Sequence, residues 1–120
     1  MNKEIVERFI SLPLAIKVFR QDKEKFADFK FGNLYQDKID SCLDNLQEDF
    51  NELKREMYAV HHLDVKYLGK EGNEVRYAVN NEVITYSPEE LRKMTEMVME
   101  DYLIGSKATD FERKIRTWNE

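Results

Sequence analysis

The apolar positions of this chain fall into two periods that change once, near residue 61. Asn2 can cap a first helix that places Ile5, Val6, Phe9 and Ile10 on one side, and Pro13 closes that turn or opens the next helix. From Leu14, the residues Ala15, Val18, Phe19, Phe26 and Phe29 recur at helical spacing, with a weakened interval that predicts a kink or loop at residues 21–24. Gly32-Asn33 reads as a stop, with glycine in a left-handed conformation. The clearest stripe follows. Ile39, Leu43, Leu46, Phe50, Leu53, Met57 and Val60 are spaced alternately four and three apart, with Asp40, Asp44, Glu48, Glu52, Lys54 and Arg55 between them. This predicts one amphipathic helix over about residues 34–61, roughly 40 Å long at 1.5 Å per residue.

At His61-His62 the period drops to two. Residues 64–68, 74–79 and 82–86 read as three short strands, with Gly69 to Asn73 and Asn80-Asn81 as the turns. Val65, Tyr67, Val75, Tyr77 and Val79 share one face, and Lys66, Glu74 and Arg76 the other. A meander over about 64–86 is too small to stand without a helix packed on it. Ser87, Pro88 and Glu90 then form a helix start, as cap, first helical residue and capping-box partner. That helix, over 88–104, runs through Leu91, Met94, Met97, Val98 and Tyr102 to Gly105. A short last helix is predicted from Asp110, with Phe111, Ile115 and Trp118 on one side. Helices, then a meander, then helices make an α+β fold with segregated elements, not a βαβ nucleotide-binding unit.

The 120 residues form a single domain over 1–120, polar but able to bury a core, at 42% hydrophobic and 36% charged. The net charge of −5 is spread evenly, with 12 acids and 10 bases in residues 1–60 and 12 and 9 in residues 61–120. No basic patch favours phosphate-backbone binding. No apolar run reaches the roughly 20 residues of a membrane span, and the first residues lack the pattern of a signal peptide. One cysteine, Cys42, leaves no internal disulfide and fits a reducing cytoplasm.

Candidate chemistry is thin. His61, His62, Asp64 and Cys42 are the only conceivable metal set, but adjacent histidines at a helix-to-strand junction diverge, and Cys42 lies about five turns earlier. No metal or cofactor is expected. Cys42 beside the long stripe reads as a buried thiol, and the serines have no nucleophile-elbow context. Paired acids such as Glu48-Asp49 and Glu89-Glu90 read as solvated faces and helix starts, and no Walker loop or dinucleotide fingerprint is present. The chain is not expected to be an enzyme. Lysines and aromatic residues interleave in residues 23–31, as in a nucleic-acid stacking platform, but Glu24 and Asp28 offset the charge and Phe26 and Phe29 fit a core stripe.

Two features point to protein recognition. Met94, Met97 and Met99 share a helix whose period can hide only some of them, with Met94 read as core and Met97 open between core and interface. Phe111, Ile115 and Trp118 are of the types that anchor interfaces, unless their helix folds back to staple the long helix or the meander. Met97, Phe111, Ile115 and Trp118 are the candidate partner-binding residues. The capped start SPEELRKM and the meander DVKYLGKEGNEVRYAVNNEVITYS, in a small acidic α–β–α chain, resemble the small phage-encoded counter-defence inhibitors, above all the type that blocks a defence-associated sirtuin. The resemblance implies a stoichiometric inhibitor in the host cytoplasm. It would bind a larger bacterial protein, the defence-associated sirtuin, and prevent its NAD-depleting activity without an active site of its own. The alternatives are an inhibitor of a CRISPR or other nucleic-acid enzyme, and a small homo-oligomeric regulatory protein that pairs the Ile39–Val60 stripe with its own copy.

Overall fold

In the computed structural model, which describes residues 2–114, the first helix runs unbroken as α1, Lys3–Lys25. Asn2 caps it by accepting the Ile5 amide at 3.3 Å. Neither the break at Pro13 nor the interval at residues 21–24 is found. A proline inside a helix costs about 3 kcal/mol. Around Pro13, however, Ile10, Leu12, Ala15, Ile16 and Phe19 are buried, and each large aliphatic side chain stabilises by about 1.5–3 kcal/mol on burial. Packing therefore outweighs the local penalty. At the far end, the Gln36 side-chain amide donates to the Lys23 carbonyl at 3.0 Å, beside the Phe26 amide at 3.3 Å, and so ties the start of the next helix to the last turn of α1.

Residues 26–31 turn the chain, and α2 follows as Gly32–Glu56. Gly32 opens this helix rather than stopping the previous one, and its φ is not positive. Its role is close approach: a Cβ there would lie 1.9 Å from the Phe26 carbonyl oxygen. The predicted stripe packs inward at Ile39, Leu46, Leu53 and Met57, with Leu43 and Phe50 half-buried. The helix then widens into a π-helical turn, Met57–His61, which His62 ends in the left-handed region at φ 51°. The wider turn rotates the stripe off the core. Val60 is accordingly 66% exposed.

Three strands, β1 (Val65–Glu71), β2 (Glu74–Val79) and β3 (Glu82–Tyr86), form an antiparallel sheet in the order β1-β2-β3. The first turn is shorter than the sequence predicts. Gly69, at φ 115°, sits in a bulge between Tyr67 and Gly69, so β1 continues to Glu71 and the turn is Gly72-Asn73 alone. Val65 pairs with Val79 and Tyr67 with Tyr77, as the alternation requires. The helix α3, Pro88–Leu103, begins with the full capping box: the Glu90 amide donates to Ser87 Oγ at 3.0 Å, and the Ser87 amide to Glu90 Oε1 at 3.1 Å.

Two cores share α1. One gathers Leu12, Ala15, Ile16 and Phe19 against Ile39, Cys42, Leu46, Leu53 and Met57 of α2 and its π turn, with Tyr102 of α3. The other sets Val6 and Ile10 against Val75, Val79, Tyr86 and Leu91. The result is α+β, with helices, an antiparallel sheet and a further helix in chain order. No helix described is long and apolar enough to cross a membrane. After α3, residues 108–114 follow an irregular path, so the helix predicted from Asp110 does not begin there.

Candidate functional site

The turn between α1 and α2 carries an aromatic tip. Phe26 is half-buried against the helical core and holds two outer rings: Phe29 edge-on at 5.3 Å and Tyr35 at 5.1 Å between centroids. Phe29 is 57%, Phe31 59% and Tyr35 46% exposed, and the Lys30 ammonium lies 5.5 Å from the Phe31 ring centre. Phe29 was expected in a core stripe. Because α1 stops at Lys25, it lies on the turn and faces solvent. The signal for the tip was present as four aromatic residues within ten positions around a glycine; reading them as helix hid it.

Of the four sequence-predicted contact residues, the two that are described, Met97 and Phe111, lie in different grooves. Met97 is 69% exposed on α3 and lines a groove of about 470 Å³ with Glu4, Glu7, Arg8, Met94 and Asp101. Phe111 lines a different groove of about 600 Å³ along α2, where the Lys38 ammonium lies 5.5 Å from its ring centre. Ile115 and Trp118 lie outside the described residues.

Phe111 belongs to a strap that lies along α2. Asn45 donates to Thr109 Oγ1 at 2.8 Å, and Lys38 to the Thr109 carbonyl at 3.4 Å. Asp37, whose side chain is fully buried, accepts from Arg113 Nε at 3.2 Å and from the Lys114 amide at 2.9 Å. Asp40 takes Lys23 at 2.6 Å and Lys114. Burial alone would raise its pKa, but the bonds from Lys114 and Lys23 outweigh that and hold it below the usual carboxylate range.

The groups with nucleophilic or metal-binding character are dispersed. Cys42 is 1% exposed, its Sγ donates to the Tyr102 carbonyl at 3.3 Å, and burial raises its pKa against the pull of Lys38. His61 and His62 are both exposed, and among the described residues no three His, Cys, Asp or Glu side chains gather as a metal site. Tyr102 donates to Asp49 at 2.5 Å, and burial followed by that carboxylate raises its pKa. This arrangement ties α3 to α2 and holds the phenol neutral. Large apolar side chains are also exposed at Tyr58, Val60, Tyr67, Leu68, Val83, Met97 and Ile104, but the tip is where three exposed rings gather on one turn.

No curated protein and no solved structure matches this chain. A family model described as YhjD protein matches residues 1–107, which takes in both cores and the tip and ends before the Thr109–Lys114 contacts. With 107 of its 120 residues matched, the chain belongs to the YhjD protein family.

Proposed function

We propose that this chain is a non-catalytic protein-binding module that engages its partner through the aromatic tip. One observation carries the reading: Phe29, Phe31 and Tyr35 are about half exposed at one turn, two of them joined through Phe26, on a glycine-opened helix. Aromatic residues dominate binding hot spots because they bury large area at low entropic cost. Here the cost is lower still, since Phe26 fixes two of the rings from within.

The partner is a larger bacterial protein, and the first to test is the NAD-hydrolysing sirtuin of a defence system, with the chain acting as its stoichiometric inhibitor. The tagged chain is mixed with the purified sirtuin, and complex formation and NAD consumption are followed. The wild type should form a complex and suppress consumption. The Phe29→Ala/Phe31→Ala variant, with unchanged helical circular dichroism, should bind about 1,000-fold more weakly, as loss of two anchors of about 2 kcal/mol each would give. Equal binding by the variant removes the tip from the interface, and no complex with the wild type removes the sirtuin.

A further inference from the structure

We infer that β3 is a pairing edge for a second copy of this chain, joined antiparallel about a two-fold axis at Ile84. β3 is the last strand of the sheet and pairs on one side only. The Asn80 amide donates to the Asp64 carbonyl at 2.8 Å, so its N–H points towards β1. By alternation, Val75, Tyr77 and Val79 turn theirs towards β3, where they face Tyr86, Ile84 and Glu82. Val83 and Thr85 therefore direct their N–H and C=O groups to the free edge. Among the described residues, no loop backbone bonds to them.

The two edges of the sheet are built differently. β1 carries Lys66, Lys70 and the Gly69 bulge, features that block strand addition. β3 reads Glu-Val-Ile-Thr-Tyr, with no lysine, proline, glycine or bulge, and Val83 is 51% exposed. An unprotected edge of β-branched residues is a template for pairing.

The sequence of β3 selects one register. With Ile84 opposite Ile84 of the second copy, Val83 faces Thr85 twice, and the outward groups of both residues make four main-chain hydrogen bonds. Glu82 then faces Tyr86 and not another Glu82, so no like charges stand opposite each other. A shift of one residue sets outward groups against inward ones. A shift of two leaves Thr85 or Val83 facing residues beyond the strand. The axis is perpendicular to the sheet, so both helical layers lie on the same side. The joined sheet has six strands and ends on two β1 edges, which closes the assembly at two copies. A contact between two five-residue strands falls short of the roughly 800 Å² per partner of a permanent complex, so the dimer is reversible.

Light scattering from about 10 µM to about 1 mM covers the range of such weak association. The wild type should move from monomer towards twice its mass. Thr85→Pro removes only an outward N–H and spares the β2 pairing, so it should remain folded and monomeric. Ile84→Cys should cross-link to itself under mild oxidation, because the central pair is of the close, non-hydrogen-bonded type, whereas Val83→Cys should not. Cys42 is buried and does not compete. A wild type that stays monomeric throughout, a folded Thr85→Pro that dimerises like it, or equal cross-linking at residues 83 and 84 overturns the inference.

Discussion

Replacing Gly32 with alanine adds a single methyl group in the most crowded place that any glycine of this chain occupies. The new Cβ would lie 1.9 Å from the Phe26 carbonyl oxygen and 3.0 Å from its carbon, both backbone atoms that no rotamer change can move. To reach ordinary contact, the turn of residues 26–31 has to shift by more than about 1 Å. That breaks or stretches the Gly32 amide bond to the Phe29 carbonyl, now 2.9 Å, and the Phe29 amide bond to the Phe26 carbonyl, now 3.2 Å. Each bond contributes about 1 kcal/mol, and overpacking costs about 1–3 kcal/mol. Alanine gains up to about 1 kcal/mol from its better helix propensity, which offsets only part of this. With both bonds lost the net loss is about 2–4 kcal/mol, a fall in Tm of roughly 10–15 °C for a chain of this size. Urea and thermal unfolding followed by circular dichroism measure it, and a change below about 0.5 kcal/mol would refute the close-approach reading of Gly32. A left-handed requirement is already absent, so Gly32→Asn should rescue nothing.

His62 holds a left-handed conformation without being glycine, so His62→Gly should stabilise the fold by up to about 1 kcal/mol in urea titration; a destabilised variant would show that the imidazole makes an unrecognised contact. Tyr86 and Tyr102 both have raised pKa values, first from burial and then from Glu7 and Asp49 respectively. A raised pKa means that the folded state holds its proton longer, so the stability these groups give is complete below pH of about 10 and is lost as the pH rises through the folded values. The urea midpoint should fall above pH of about 10, and fall less steeply in Tyr86→Phe/Tyr102→Phe; parallel curves for the two proteins would place the alkaline transition elsewhere.

Periodicity made most of this fold legible. The alternating spacing from Ile39 to Met57, the alternation of β2 and β3 and the Ser87-Pro88-Glu90 start each follow from local geometry and stand where the pattern puts them, whereas β1 runs past its predicted end through a bulge. The departures occur where tertiary packing decides. Pro13 stays inside α1 because residues on both sides of it are buried, a fact visible only once both cores exist. Gly32 needs no left-handed φ and instead permits a close pass, and Gly69 uses its positive φ in a bulge rather than in the turn; neither use shows in the residue type. The extra residue of the π turn, which turns Val60 outward, leaves no mark in a regular heptad-like stripe. For the proposed binding surface, spacing leaves Met97 open between core and interface, and the structure exposes it; the aromatic tip is not legible at all. Rings at helical spacing look like core until the end of the helix is known.

Because α1 supplies one wall to each core, neither core can be completed without it, and neither is an independent folding unit. The sheet has its apolar face closed by Val6 and Ile10, and the α2 stripe by Leu12, Ile16 and Phe19, all from one rigid element. α3 repeats the arrangement at the other end of the chain, with Leu91 in one core and Tyr102 in the other. A nascent chain that has emerged only as far as the meander therefore holds the α1 wall of each core but lacks Leu91 and Tyr102, the share that α3 supplies. Neither core is complete before α3 joins, and a single cooperative unit predicts that native-state exchange opens the buried amides of Leu46 and Val79, in different layers, with the same free energy.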